Sequence, residues 1–182
     1  MEHICRRIYS PVLKKAIEDY LKKKGLEYSF SECDGRFEFV RDTGTEIGVL
    51  NYRIVVYQEG FMTYELLPFK EEVYTRKGRA ELMNFIMRAS FGTFGCWLMD
   101  IKDTGEIAYR TYCDWGDSAP DERWVEWMDR YFERLLEPMR NYLPGFDDII
   151  HHGATCDAAL KMCIKNILLE GFSRTDWKRH KR

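Results

Sequence analysis

Apolar residues recur at three- and four-residue spacing through SPVLKKAIEDYLKKKG. Val12, Leu13, Ala16, Ile17, Tyr20 and Leu21 fall on one face, with lysines and acids on the rest. The pattern predicts an amphipathic docking helix capped by Ser10, opened by Pro11 and ended at Gly25. The period then shortens to two. EYSFSECDGRFEFV reads as a hairpin about Asp34-Gly35, which sets Phe30 opposite Phe39 and keeps Tyr28 and Phe37 on the same aromatic face. NYRIVVYQEGFMTYELL reads as a second hairpin with two possible registers. A two-residue Glu59-Gly60 loop puts Ile54 against Glu65. A three-residue loop with left-handed Gly60 puts Arg53 against Glu65 and gathers Tyr52, Ile54, Val56, Met62, Tyr64 and Leu66 on one face. The second register satisfies charge and burial together and is the one expected.

Helical spacing returns in KGRAELMNFIMRASFG, where Leu82, Met83, Phe85, Ile86 and Ala89 make a broad apolar face. A third hairpin follows. A three-residue Asp103-Thr104-Gly105 loop pairs Lys102 with Glu106, Ile101 with Ile107, Met99 with Tyr109 and Trp97 with Thr111, which leaves one face apolar. The segment DSAPDERWVEWMDRYFERLLEPMRNYL then begins a long helix with Ser118 and Asp121 at capping-box spacing. Trp124, Trp127, Met128, Tyr131 and Leu135 form its main stripe, widened by Val125, Phe132 and Leu136, and Pro138 is expected to bend or interrupt it. A last helix is expected over Asp157 to Leu169. No composition shift or Gly/Ser linker divides the 182 residues, so residues 1–182 are expected to form one domain.

Composition narrows the class. The chain is 45% hydrophobic and 32% charged with five prolines, which excludes a collagen-like or disordered chain. MEHICRR has no apolar stretch after its basic pair, and no run approaches the ~20 apolar residues of a membrane span. Six cysteines without a CxxC pair read as reduced thiols, pointing to a cytoplasmic protein rather than a disulfide framework. The net charge of -2 is uneven: the last nine residues, RTDWKRHKR, carry +4 and the remainder -6. An acidic body argues against nucleic acid as the main partner, and the basic end reads as a solvated terminus.

Two Asp-Thr-Gly tripeptides, at Asp42 and Asp103, raise the paired catalytic aspartates of a protease. Arg41, Lys102 and Glu106 beside them belong on wet turns, so both tripeptides are read as chain reversals. His151, His152 and Cys156 lack the second cluster of a four-ligand zinc site. No GxxxxGKS or GxGxxG cradles a phosphate, so neither a metal nor a cofactor is expected. What stands out is a surplus of apolar side chains. Val55, Tyr57, Phe61, Leu98 and Tyr112 lie on the strand faces opposite the expected core, and Trp124, Trp127, Phe132 and Leu136 spread around the long helix. Such a patch marks an interface. A homodimer or a peptide-docking surface is therefore expected, with Val55, Tyr57, Phe61, Leu98, Tyr112, Trp124, Trp127 and Phe132 as its partner-binding residues.

Four stretches carry a resemblance to a known family: GLEYSF, RIVVYQEGFMTYELLPF, RAELMNFIMRASFGTFGCWLMDIKDTGEIAYR and YLPGFDDIIHHGATCDAAL. In combination they resemble the YbjN family, over roughly residues 25 to 160, leaving residues 161–182 as a C-terminal helix and basic tail. Ser90-Phe91 departs from the Asn-aromatic pair that members often carry after the second helix. The resemblance implies an α+β fold like that of type III secretion chaperones, a twisted, mainly antiparallel sheet of hairpins with helices packed on one face. It implies no catalytic residues. Family members are regarded as candidate regulators, and the related chaperones are acidic homodimers that bind extended partner segments without ATP. The expected function is thus a non-catalytic, chaperone-like protein-binding module.

Overall fold

The computed structural model describes residues 8–67, 76–91, 93–100, 105–116 and 120–173. Helix α1 (Pro11–Lys23) begins where expected: Ser10 is extended at φ -72 and its Oγ accepts a hydrogen bond from the Leu13 amide at 3.2 Å. Gly25, at φ +65, ends the helix in the left-handed conformation that glycine adopts without steric penalty. Leu13, Ile17, Tyr20 and Leu21 are buried, while Val12 is exposed. Ser10→Ala is expected to cost about 1 kcal/mol in chemical denaturation, because it leaves an amide of the first turn unpaired.

Strands β1 (Tyr28–Ser31) and β2 (Arg36–Asp42) pair with Phe30 opposite Phe37 and Tyr28 opposite Phe39. The expected pairing of Phe30 with Phe39 is displaced by two residues, which keeps the faces and lengthens the loop. The reason is conformational. A two-residue turn of the expected type needs positive φ at both centres, and only Gly35 has it. Ser31 Oγ instead donates to Asp34 Oδ2 at 2.9 Å and organises a longer reversal.

The second hairpin departs further. In β3 (Val49–Val56) and β4 (Gly60–Leu66), Tyr52 stands opposite Glu65 and Arg53 opposite Tyr64. The Tyr57 amide donates to the Gly60 carbonyl at 2.8 Å, closing a loop of Gln58 and Glu59. Gly60 is not left-handed; it lies within β4, where a Cβ would come within 2.2 Å of the Cys113 carbonyl oxygen. This register is one residue from the expected one, so every β4 side chain changes face. Phe61, Thr63 and Glu65 point to the helices, and Met62, Tyr64 and Leu66 take the opposite side. Arg53 stays outside, as expected, but its partners are Glu38 and Glu106 rather than Glu65.

In the third hairpin, β5 (Cys96–Met99) and β6 (Ile107–Asp114) place Trp97 opposite Tyr109 and Met99 opposite Ile107. The expected pairs are again displaced by two, so Trp97, Ile107 and Tyr109 still face inward. Ile101, Lys102, Asp103 and Thr104 lie outside the described residues. Among the described residues, six strands form one antiparallel sheet in the order β1-β2-β3-β4-β6-β5.

Helices cover one face of that sheet, as expected of an α+β fold. Helix α2 (Arg76–Ser90) buries Leu82, Phe85 and Ala89 but leaves Met83 exposed. Ser90 secures the return into β5: its hydroxyl donates to the Ile86 carbonyl at 2.8 Å and accepts from the Trp97 amide at 2.9 Å. Helix α3 runs unbroken from Trp124 to His152, with Pro138 and Pro144 inside it. The expected interruption does not occur. Each proline removes one hydrogen bond, whereas the fully buried Leu135, Leu136, Met139 and Phe146 hold the flanking turns against the core. No side chain caps α3; Asp121 supports its start by accepting from the Arg123 amide at 2.9 Å, and Ser118 lies outside the described residues. Helix α4 (Cys156–Ser173) packs on α3 and α2.

Candidate partner-binding face of the sheet

The sheet has two unlike faces. Beneath the helices, one row crosses all six strands: Tyr28, Phe39, Tyr52, Glu65, Tyr109 and Trp97. The side chain of Phe132 on α3 lies over it, with ring centroids 5.4 Å from Tyr52 and 6.2 Å from Phe39, and 5.7 Å from Tyr20 of α1. No described helix covers the other face. There the row Ser29, Glu38, Arg53, Tyr64, Arg110 and Cys96 runs beside the row Ser31, Arg36, Val55, Met62 and Tyr112.

This division sorts the residues expected to bind a partner. Phe61, Trp124 and Phe132 are core: Phe61 and Phe132 are fully buried, and Trp124 donates its indole N–H to the Ala16 carbonyl at 3.1 Å. Their assignment to a surface is corrected, Phe61 because of the β4 register and the other two because α3 buries that flank against α1 and the sheet. Trp127 is half-buried, stacked between Trp124 and Tyr131. Val55, Tyr57, Leu98 and Tyr112 do lie on the open face. Val55 is nevertheless 7% exposed, Tyr57 and Leu98 are half-buried, and Tyr112 is 53% exposed.

An ion triad organises the open face. Arg53 donates to Glu38 at 3.0 Å and grips Glu106 with both terminal nitrogens, at 2.8 and 3.1 Å. Partial burial opposes the guanidinium's charge, but Glu106 and Glu38 outweigh it and hold Arg53 above its ordinary value. A groove of about 720 Å³ passes over this triad, lined among others by Glu27, Ser29, Glu38, Asn51, Arg53 and Glu106. A separate cleft of about 250 Å³, also bordered by Arg53, lies beside Arg36, Val55, Tyr57 and Tyr64. Three carboxylates against one paired guanidinium give the groove a negative lining, and exposed Val40 adds an apolar spot. The triad escaped sequence reading, because Glu106 is distant from Arg53 in the chain and is brought to it by the β5–β6 return.

The other candidates fall in different places. Asp42 is exposed and its carboxylate accepts from the Gly44 amide at 2.9 Å, so the first Asp-Thr-Gly is a turn, as expected. Asp103 lies outside the described residues. His151 and His152 are exposed near Asp147, while the Cys156 thiol turns toward Arg88. Among the described residues, no group of His, Cys, Asp or Glu side chains is placed to hold a metal ion. Burial pushes the Cys113 and Cys163 thiols up to about 11, and the described cysteines are free. No helix among the described residues is long and apolar enough to cross a membrane.

No family model matches this chain, and no curated protein matches its sequence. Among solved structures, the chain is similar in overall structure to YbjN from E. coli, a proposed transcription regulator, with a TM-score of 0.47 and 10% sequence identity over 76% of this chain and 92% of that one.

Proposed function

We propose that this chain is a non-catalytic protein-binding module whose docking surface is the open face of the sheet. The observation that supports this reading is the groove of about 720 Å³ over the Glu38–Arg53–Glu106 triad, which carries a negative lining. Its shape suits an extended polypeptide segment, and its chemistry selects one in which lysine or arginine alternates with small aliphatic residues. The rigid triad gives such a segment fixed acceptors without a reacting group. Self-association through the same face is the competing occupant, favoured by exposed Val40, Val49 and Tyr112.

The test uses a fluorescent peptide of alternating lysine and valine, followed by anisotropy, with sedimentation of the protein alone. Saturable binding is expected, weakened at least about tenfold by Glu38→Lys and by added salt. Absence of binding, or binding indifferent to Glu38→Lys, overturns the reading. A dimer that dissociates in Tyr112→Glu and excludes the peptide assigns the face to a second copy of the chain.

A further inference from the structure

The core holds a carboxylic acid that nothing in the fold requires for packing. Glu65 is fully buried, and neither carboxylate oxygen makes a hydrogen bond of normal geometry among the described residues, although Thr63 and the Glu65 backbone lie close enough to act on it. Register places it between Tyr52 of β3 and Tyr109 of β6, with α3 across the same face. Two further polar atoms of the same row, Tyr52 Oη and Trp97 Nε1, are likewise buried without partners. Next to the row, Thr63 and Thr111 share a hydrogen bond of 2.8 Å, and Thr111 meets the hydroxyl of Tyr131 on α3 at 2.5 Å. Unpaired buried polar groups are uncommon in a core, and three in one row are not explained by packing.

We propose that Glu65 is a proton-operated latch on α3: its neutral acid is tolerated under the helix, and its ionised form loosens α3 from this part of the sheet. Helix and sheet answer differently to the two forms. A neutral carboxyl can donate or accept within a small polar pocket, while among the described residues no cation offsets the burial of a carboxylate here. The titratable groups facing it are Tyr52 from β3, Tyr109 from β6 and Tyr131 from α3, all held above their ordinary values by burial, with the Glu65 charge adding to it. At the rim, Arg41 of β2 reaches Glu133 of α3 through one terminal nitrogen at 3.4 Å and lies over the Phe132 ring, while its other terminal nitrogen is buried without a hydrogen-bond partner among the described residues. Burial raises the Glu65 carboxyl to about 8, partly countered by Thr63 and the local backbone. Water reaching the carboxylate requires α3 to move, and that movement uncovers Phe61 and Phe132. The latch lies beneath the helices and the Arg53 triad on the open face, and Tyr52, the strand neighbour of Glu65, borders the groove as well.

The experiment follows the full chain from about pH 6 to about pH 9 by two readouts. Carbon-13 carboxyl NMR of glutamate-labelled protein, with Glu65→Gln to assign the resonance, gives the titration of the group itself. Binding of an apolar dye and acrylamide quenching of tryptophan fluorescence report the opening of α3. Glu65 is expected to titrate near 8, and dye emission to rise several-fold over the same interval in the wild type. Glu65→Gln and Glu65→Leu, either of which suffices if the other fails to fold, are expected to stay flat. A Glu65 resonance titrating near 4.5, an equal rise in the variants, or no rise in the wild type overturns the latch.

Discussion

Phe132→Ala is expected to destabilise the protein by about 3–5 kcal/mol, the range for emptying a well-packed aromatic site. Phe132 is fully buried and touches four aromatic neighbours from four elements: Tyr20 of α1, Phe39 of β2, Tyr52 of β3 and Tyr131 of α3. Deleting its ring therefore opens a cavity at the junction of the helix layer and the sheet. The surrounding side chains are anchored on different elements and have little freedom to collapse into it. Tyr112→Ala serves as the contrast, since that side chain is exposed on the open face and surface changes stay within about 0.5 kcal/mol. Urea denaturation of both variants reads the difference directly. If Phe132→Ala costs no more than Tyr112→Ala, Phe132 is a surface residue after all and the placement of α3 is wrong.

The stability of the wild type is expected to fall as pH rises from about 4.5 to about 8, relative to Glu65→Gln. The sign follows from proton counting. Between the unfolded value of 4.5 and the folded value of about 8, the native state keeps the Glu65 proton that the unfolded chain has lost. Raising the pH therefore pulls the equilibrium toward the unfolded chain. The contribution is complete below 4.5, fades at up to ~1.4 kcal/mol per pH unit, and is gone above about 8. The full span is on the order of 5 kcal/mol, an upper figure because a loosened α3 lets water solvate the carboxylate. Glu65→Gln should match the wild type near pH 4.5 and exceed it near pH 8, in denaturation curves taken at each pH. Parallel curves at all pH values would show that Glu65 is solvated in the native state.

Much of this architecture is legible along the chain, and the reason is local. Ser10, Pro11 and Gly25 bound α1 because capping and the left-handed exit depend on a few consecutive residues. Alternation in FEFV and NYRI marks β2 and β3 as half-buried, and Trp97, Ile107 and Tyr109 face inward whichever of two registers, two residues apart, is adopted. A shift of two preserves faces; a shift of one does not. In β4 the sequence FMTYEL puts Met62, Tyr64 and Leu66 on one alternation and Phe61, Thr63 and Glu65 on the other, so local pattern favours burying the first set. That preference and the apparent attraction of Arg53 for Glu65 together select the wrong one.

That choice belongs to the tertiary structure. Gly60 has no Cβ to clash with the Cys113 carbonyl, so it passes close to β6 as part of the strand instead of serving the turn. Arg53 finds Glu38 across the β2–β3 pair and Glu106 beyond it, two carboxylates separated from it by 15 and 53 residues. With Arg53 satisfied outside, Glu65 is left to the inner face, where no cation among the described residues offsets its burial. The surface assigned to Phe61 is lost with the β4 register, and that assigned to Trp124 and Phe132 because α3 buries that flank against α1 and the sheet. By itself the sequence determines elements, caps and most strand faces, since these arise from neighbours a few residues apart. Only the fold decides the β4 register, the burial of Glu65 and the open groove, since each rests on contacts between segments that the chain keeps far apart.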